Sequence, residues 1–340
     1  MQKVDCLIVG GGICGRLLQL ELEQQGKSTL VYDTPQANHC TTVAAGLANP
    51  LVGKFFTVGW RAAEIFPSLA SYYHALEKRL SSSFFRPINY KRIISSAGEQ
   101  NIWLSKAHKA KYNGFCSFAN ETVSGLNTQF GVLNVQQGGE MNTREFLASC
   151  EKLLATCFET FDLEALDLES KQYQDVQYDN IIFAEGYKLV DNPLWNDYVT
   201  IIPTKGELLT LETDLEPKGD IYLGSVFLQH LKDRTWRAGS TYARNDSTLN
   251  PTGMMRDDLT DKLEKVITVP YKIVDHYCGV RPATLDRKPT IGRHPLHKDV
   301  YVLNGMGSKA VSMAPLLVAE LVSHMYLGTD INESVDLHRF

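Results

Sequence analysis

The 340-residue chain is predicted to fold as an α/β protein in which a parallel-sheet domain is interrupted by a second, α+β domain built on a mostly antiparallel sheet. Three observations predict this architecture. A short apolar strand near the N-terminus runs directly into a glycine-rich turn and a helix. A second apolar strand, residues 178–183, and a third, beginning at Val300, follow much later in the chain. Between these two strands, apolar and polar residues alternate, as in a sheet with one covered face.

The first element is the apolar strand Cys6–Val9, and a helix with leucines on a helical period ends near residue 26. Between them, three glycines have the spacing Gly-x-Gly-x-x-Gly: Gly10, Gly12 and Gly15. These glycines permit a tight turn, close approach of the backbone to a pyrophosphate, and close packing of helix on strand. The next strand, residues 28–32, ends at Asp33, which is placed to accept a hydrogen bond from a ribose hydroxyl. This order predicts a Rossmann-type dinucleotide site, and Asp33 favours NAD or FAD over NADP.

Composition places the chain among ordinary globular proteins, with 44% hydrophobic and 21% charged residues. A net charge of −5 argues against a nucleic-acid surface. The seven cysteines include no Cys-x-x-Cys pair, which predicts reduced thiols and a cytoplasmic protein. The spacing of His, Cys and acidic residues predicts no metal site. The N-terminus lacks the pattern of a signal peptide, and no apolar run approaches the ~20 residues that span a bilayer.

Residues 40–50 are dense in small side chains, which would let the backbone lie against a flat ligand; close helix packing is the alternative explanation. A Rossmann fingerprint followed by Ala44-Ala45-Gly46 and Pro50 resembles the D-amino-acid oxidase and glycine oxidase superfamily of FAD-dependent amine oxidoreductases. Some members of that superfamily attach FAD covalently through a histidine just before the Ala-Ala-Gly. Because Val43 occupies that position, the resemblance implies non-covalent FAD.

Residues 55–80 are predicted to form a helix whose apolar stripe serves mainly core packing. Lys54 and Arg61 flank its start. The resemblance implies that this segment passes near the flavin, so one of the two cations is a candidate to face the ring, and Lys54 is taken as a catalytic candidate.

The resemblance also implies how the chain divides. The FAD-binding domain is expected to comprise residues 1–80, 137–203 and 276–340, and the substrate domain residues 81–136 and 204–275. The strand 178–183 ends in Ala184-Glu185-Gly186 and is expected to return to the FAD site.

Shorter elements are predicted within these domains. Strands are expected at 90–94, 131–135, 221–231 and 235–242, and helices from residue 142 and over 255–266. Three side chains of the alternating strands are candidates for the face over a pocket, with ordinary sheet packing as the alternative: Phe227, Gln229 and Tyr242.

The C-terminal region carries the most specific resemblance. Residues 279–292 match the family signature Gly-x-Arg-Pro…Asp-x-x-Pro-x-Ile-Gly, and a strand from Val300 leads into a glycine-rich turn. The helix 310–327 follows. The resemblance implies that the N-terminus of this helix points toward the flavin, where its dipole stabilises negative charge on the reduced ring.

Arg281, within that signature, is the main candidate for substrate binding. In glycine oxidase-like enzymes this arginine holds the substrate carboxylate, because a guanidinium offers two parallel N–H donors. The alternative is an internal ion pair with an acid such as Asp286. Glycine oxidases carry a second arginine in the glycine-rich turn. The corresponding residue here is Ser308, and its neighbour Lys309 is the candidate to supply that charge.

The resemblance implies FAD as the cofactor, and a small amine and an electron acceptor, O₂ or another, as partners. Its chemistry is oxidation of a C–N bond by hydride transfer to flavin N5, giving an imine that hydrolyses, with a glycine-like or N-substituted glycine substrate. The residues assigned to FAD are Gly10, Gly12, Ile13, Cys14, Gly15, Tyr32, Asp33, Thr41, Thr42, Ala44, Ala45, Gly46, Ala184, Gly186, Gly279, Arg281, Gly305, Gly307, Ser308, Lys309 and Ala310.

Two alternatives remain open at this point. Residues 278–281 and 307–315 are also similar to the FAD oxidase half of the bifunctional enzyme that modifies the wobble uridine of tRNA, whose substrate is an N-substituted glycine. The second alternative is a flavoprotein that transfers electrons or serves as a binding subunit without amine oxidase activity. A simple NAD dehydrogenase does not account for the C-terminal motifs. The sequence leaves the oligomeric state open.

Overall fold

The computed structural model describes residues 1–34, 39–53 and 55–339 and is built on two large sheets. Within these residues the strands are, in chain order, β1 (Gln2–Val9), β2 (Thr29–Tyr32), β3 (Leu47–Ala48), β4 (Leu51–Val52), β5 (Thr57–Val58), β6 (Phe85–Ile93), β7 (Cys116–Ala119), β8 (Val132–Met141), β9 (Thr156–Cys157), β10 (Leu166–Asp167), β11 (Gln172–Tyr173), β12 (Val176–Phe183), β13 (Ile202–Thr213), β14 (Ile221–Leu223), β15 (Phe227–Lys232), β16 (Thr235–Gly239), β17 (Ala243–Arg244), β18 (Tyr271–Ala283), β19 (Thr290–Arg293) and β20 (Val300–Asn304).

The α-helices of the described residues are α1 (Ile13–Gln24), α2 (Cys40–Val43), α3 (Ala62–Leu80), α4 (Ala97–Lys106), α5 (Thr143–Leu153), α6 (Gly253–Leu263) and α7 (Ala310–Leu327). Short 3₁₀ helices occur at Ala110–Tyr112, Leu163–Ala165, Gly186–Asp191 and Leu337–Arg339. The mixture of helices with a parallel and a mostly antiparallel sheet confirms the predicted fold class.

The first sheet contains the predicted parallel strands. Its central strands run in the order β9-β2-β1-β12-β20, all parallel, with β19 antiparallel to β20 at one edge. The residues of β1 from Cys6 to Val9 are almost fully buried, as expected of a strand covered on both faces. Because the carboxyl ends of parallel strands meet at one edge, the turns after β1, β2, β12 and β20 gather there.

The second sheet is mostly antiparallel, with β14 and β6 as a parallel pair. A long strand of this sheet, β13, pairs with β18 on one side and with β16 on the other. Opposed residues of an antiparallel pair point to the same face. The pairs Gly206–Gly279 and Thr204–Arg281 therefore share one face of the sheet, and Glu207–Cys278 the other.

Helix α7 packs against α1 and α3 beside the first sheet. It is the one helix in the described part of the chain that is long and apolar enough to cross a membrane by length and composition, with 18 residues and a mean hydropathy of 1.4. Half of that stretch is buried inside the fold, including Leu317, Val318 and Leu321. This is the pattern of a core helix in a globular domain.

The predicted helix over residues 55–80 begins too early. Strands β4 and β5 pair antiparallel before this helix, and α3 starts only at Ala62. Arg61, just before it, has a left-handed backbone with φ 49°, which breaks the helical path. The prediction of one strand over 221–231 is also wrong, because a turn at Gly224 separates β14 from β15. The proposed domain boundaries stay a prediction.

Candidate active site

The glycine-rich turn between β1 and α1 forms one wall of a deep cleft. Gly10 has φ +106°, and a Cβ there would lie 2.5 Å from the Ala184 carbonyl oxygen. A Cβ on Gly15 would overlap the Gly10 carbonyl oxygen. Side chains at these two positions would therefore separate α1 from the sheet, as the motif predicts.

Asp33 follows β2 and closes the same end of the cleft. Its Oδ1 accepts a hydrogen bond from the Gly11 N–H at 3.0 Å, which fixes the carboxylate against the turn. The side chain remains at the cleft surface, where an acid can accept from a ribose hydroxyl. His39 lies nearby, with Nε2 3.9 Å from Asp33 Oδ1. Burial lowers the pKa of His39, and the Asp33 charge opposes that effect.

The cleft brings together eleven of the residues assigned to the cofactor. They are Gly10, Gly12, Ile13, Cys14, Tyr32, Asp33, Thr41, Ala184, Gly186, Gly307 and Ala310. The turns after four strands, helix α2 and the start of α7 supply these residues, so residues from distant parts of the chain meet at one place. The others in the assignment lie outside the wall of this cleft: Gly15, Thr42, Ala44, Ala45, Gly46, Gly279, Arg281, Gly305, Ser308 and Lys309.

Sequence reasoning missed several residues of this wall. Glu185, Lys188 and Asn192 follow β12, and Thr160 and Phe161 follow β9. Glu185 lies inside the predicted Ala-x-Gly motif, which was a usable signal. No sequence signal marked Thr160 and Phe161, because the preceding strand β9 has only two residues and shows no periodicity. Burial raises the pKa of Glu185 to about 7, although Asn192 Nδ2 donates to its Oε2 at 2.8 Å.

The Ala44-Ala45-Gly46 segment is held in place by side chains of the second sheet. Gln229 Nε2 donates to the Ala45 carbonyl at 2.9 Å, and Arg237 Nη1 to the Ala44 carbonyl at 3.4 Å. Gln229 is almost fully buried, so it positions this segment from behind. The predicted pocket role of Gln229 is thus a supporting one.

Arg281 lies beside the cleft on the sheet face that carries Gly206 and Gly279. Its Nη2 donates to Ser240 Oγ at 2.8 Å and its Nη1 to the Thr241 carbonyl at 3.2 Å. The ring of Tyr242 covers the guanidinium, with 4.2 Å from Cζ to the ring centroid. The planar group lies flat on Gly206, because a Cβ there would overlap both Nη atoms.

No carboxylate among the residues that the structure describes lies within 4 Å of the Arg281 guanidinium. The alternative pairing with Asp286 is wrong, because Asp286 Oδ2 is 3.1 Å from Arg339 Nε. Burial raises the pKa of the Cys40 thiol on the cleft wall, and the Arg281 charge opposes that effect. Arg281 is therefore a half-buried cation close to the cleft with its charge uncompensated.

Lys309 lies at the start of α7, next to Ser308, whose Oγ is 3.3 Å from the Tyr242 hydroxyl. Burial lowers the pKa of the Lys309 ammonium; the Tyr242 hydroxyl opposes this, and the nearby Arg287 charge adds to it. Across the described ranges, no acid reaches Lys309 Nζ within ion-pair distance. Two cations without an acidic partner among the described residues, Arg281 and Lys309, thus lie near Tyr242.

The cations near α3 contribute less. Lys54 lies outside the described residues. Arg61 bonds Glu64 and Glu320 at 2.6 and 2.7 Å, so its charge is already compensated and its role is structural. Among the described residues, no group of three or more His, Cys, Asp or Glu side chains is arranged to hold a metal ion.

The family model of DAO, the FAD-dependent oxidoreductases, matches residues 5–325 of the chain. The chain belongs to the DAO family. Glycine oxidase from Bacillus subtilis is 21% identical, over 99% of this chain and 96% of that protein. The bifunctional protein MnmC of tRNA 5-methylaminomethyl-2-thiouridine biosynthesis, from Aeromonas hydrophila, is 23% identical, over 98% of this chain and 57% of its own length. Glycine oxidase from Geobacillus kaustophilus has a TM-score of 0.80 at 15% identity, covering 100% of this chain and 98% of that one.

Membership of the DAO family makes this protein an FAD-dependent oxidoreductase that acts on amino acids or amines. The cleft fits that cofactor. Its glycine turn leaves space that side chains would fill, Asp33 offers a carboxylate on the cleft wall at the end of β2, and α7 begins at its edge. The buried Nδ1 of His39 has no hydrogen-bond partner among the described residues, as expected of a group that faces a polar ligand.

Proposed function

We propose that this DAO-family enzyme oxidises the C–N bond of a small amine that bears a carboxylate, either a glycine-like amino acid or an N-substituted glycine. The uncompensated, half-buried guanidinium of Arg281 carries the proposal. A buried charge without a partner is costly, and a substrate carboxylate would supply that partner through two parallel N–H bonds.

Arg281 is prepared for this role by its surroundings. Ser240, Thr241 and the Tyr242 ring fix its orientation before any ligand arrives. A carboxylate bound to a fixed guanidinium has a defined direction, so the α-carbon of the amine is held in one place. Tyr242 also covers the guanidinium on one side, which excludes water from part of the site.

FAD would be held by the glycine turn and Asp33, and by the segments that begin at Ala184 and at Gly307. When bound, it supplies the hydride acceptor, at N5 of its flavin ring, and the imine product then hydrolyses in water. Lys309 and the N-terminus of α7 place positive potential at the cleft edge, which favours negative charge there. We propose non-covalent binding, because Val43 offers no group for a covalent bond.

The visible spectrum of the purified protein, titrated anaerobically with N-methylglycine and related amino acids, tests this proposal. A flavin band that bleaches on addition of the amine supports it. A flavin band that no amine bleaches, but that a partner protein reduces, would favour an electron-transfer or binding flavoprotein. Reoxidation of the bleached sample by air identifies O₂ as the acceptor, and its absence identifies a dehydrogenase.

A second candidate function is favoured by the similarity to MnmC over 98% of this chain. In this reading the substrate amine is attached to the wobble uridine of tRNA. A tRNA complex would weaken steeply with salt, because phosphate contacts release counterions. Titration of the protein with tRNA at two salt concentrations, followed by the flavin spectrum, separates this candidate from a small-molecule oxidase.

We also propose a cytoplasmic location, since none of the seven cysteines forms a disulfide. Cell fractionation with an antibody to the protein tests this point.

A further inference from the structure

The front face of the second sheet, the face that carries Arg281, also carries a second arginine, Arg237 of β16. Arg237 is paired with Thr210 of β13, and Arg281 is paired with Thr204 of the same strand. These positions share one face, because residues two apart along a strand point to the same side. Trp236, the neighbour of Arg237 in β16, is fully buried in the core behind the sheet. The alternation of β16 thus directs the Arg237 side chain to the side of Arg281.

Three neutral groups fix the position of the Arg237 guanidinium. Nε donates to the Tyr277 hydroxyl at 2.6 Å, and Nη1 donates to Gln229 Oε1 at 3.3 Å and to the Ala44 carbonyl at 3.4 Å. Nη2 has no hydrogen-bond partner in the described part of the chain, and the fold does not enclose it. The two N–H donors of this nitrogen are therefore available to a ligand, in an orientation that exists before the ligand arrives.

Arg237 lacks an acidic partner within ion-pair distance among the residues that the structure describes. The acid beside it is Glu140, whose Oε1 accepts from Gln229 Nε2 at 2.5 Å. Glu140 is itself paired with Arg86 at 2.5 Å. Arg237 is half-buried, and a charge taken out of water without a partner is costly. An anionic group of a ligand would supply that partner.

The strand register brings the two arginines within reach of one small molecule. The Arg281 guanidinium lies over Gly206, where it would overlap a Cβ. Arg237 and its partner Tyr277 lie level with residues 208–210 of β13. The two guanidinium groups are therefore offset by two to four residues of β13, roughly 7–13 Å. An amine with a carboxylate at each end can span this gap, because each carboxylate–guanidinium contact covers part of it.

We propose that Arg237 binds a second carboxylate of the substrate, and that the substrate is a dicarboxylic secondary amine of the iminodiacetate type. The assignment rests on the proposed function, because it takes Arg281 as the site of the first carboxylate. A molecule held at both ends by fixed guanidinium groups has its C–N bond in one place between them. The bond from Arg237 to the Ala44 carbonyl also places this charge beside the segment assigned to the cofactor. Arg237 is thus a specificity-determining residue that selects a charged N-substituent.

Two probes that differ in one charge test the assignment. Iminodiacetate and its monoamide, N-(carbamoylmethyl)glycine, have nearly the same shape, but the amide is neutral at one end. Anaerobic titration of the flavin-loaded enzyme with each amine gives a Kd, which is corrected for the unprotonated fraction of that amine at the assay pH. Iminodiacetate is expected to bind about 10- to 100-fold more tightly, because its second carboxylate gains charge-assisted hydrogen bonds. Equal affinities, or tighter binding of the monoamide, overturn the assignment.

Replacement of Arg237 provides the second arm. Arg237→Met is expected to lower the preference for iminodiacetate by about tenfold or more and to change the Kd of the monoamide by less than about threefold. Arg237→Lys keeps the charge and should retain part of the preference. Arg234→Met is the matched control from the turn before β16, where the arginine is 60% exposed and pairs with Asp214, and it should keep the wild-type ratio. An unchanged ratio in Arg237→Met overturns the assignment.

The same titrations separate failure of this assignment from failure of the proposed function. If Arg237→Met slows flavin reduction by both amines equally and leaves their Kd ratio unchanged, Arg237 acts on the flavin, and the assignment fails. If N-methylglycine and the monoamide bleach the flavin but iminodiacetate does not, the assignment fails and the proposed function stands. If no amine bleaches the flavin, the proposed function fails, and the assignment with it. Should Arg237→Met lose its flavin, the wild-type ratio and Arg237→Lys decide.

Discussion

Replacement of Arg281 by methionine removes the charged guanidinium but keeps an unbranched apolar side chain in place of the arginine stem. We expect the protein to retain its FAD, because the cleft wall does not include Arg281. A charge-assisted contact to a carboxylate contributes about 2–4 kcal/mol, so the Kd for N-methylglycine should rise roughly 30- to 1,000-fold. Arg281→Lys keeps the charge but loses the planar pair of donors, and an intermediate loss is expected.

The assay is anaerobic stopped-flow reduction of the flavin over a range of amine concentrations. It separates the Kd of the amine from the limiting rate of reduction, so a binding defect is distinguished from a chemical one. Arg293→Met removes an exposed arginine from the end of β19 and controls for the change in net charge. An unchanged Kd in Arg281→Met, with normal flavin content, refutes the assignment of Arg281 as the carboxylate site.

Three further predictions concern the cleft and its edge. Asp33→Asn should weaken FAD binding about 10- to 100-fold, as followed by quenching of flavin fluorescence in the apoprotein; unchanged affinity would exclude a ribose contact. The carboxyl of Glu185, with its pKa raised to about 7, gains negative charge as pH rises through that value, so affinity for the FAD pyrophosphate should fall about three- to tenfold between pH 6 and 8. Glu185→Gln should abolish that pH dependence. Burial lowers the pKa of Lys309, so this side chain loses its proton at a lower pH than an ordinary lysine. Substrate affinity should therefore fall as the pH becomes alkaline. In Lys309→Arg this fall should occur at a higher pH, because arginine keeps its proton.

Structural features that depend on residues close together in the sequence were predictable. The glycine turn, β1, β2 and the position of Asp33 follow from spacing alone, because a strand–turn–helix unit is decided within about thirty residues. Ala184 and Gly186, which the family resemblance assigned to the cofactor site, also lie on the cleft wall. The start of α3 was not predictable, because the left-handed backbone of Arg61 breaks a segment whose apolar pattern continues.

Contacts between distant parts of the chain had no local signal. Arg281 lies about forty residues along the sequence from its partners Ser240 and Thr241. Gln229 lies 184 residues from its partner Ala45. Asp286 was a plausible partner of Arg281, and only the structure shows that Asp286 pairs with Arg339 instead. Pairings of this kind depend on how the sheets pack, so neither periodicity nor spacing determines them.

The two faces of strand β13 serve different purposes: one supports the Arg281 guanidinium, and the other holds a neighbouring segment of the chain. Its front face carries Gly206 under the Arg281 guanidinium, and its rear face carries the Lys205 and Glu207 charges that secure residues 248–252. Side chains that point outward from that secured segment can therefore change without loosening its backbone. Sequence changes on the outer side of residues 248–252 can therefore accumulate behind the sheet, while the Arg281 site on the front face stays as it is.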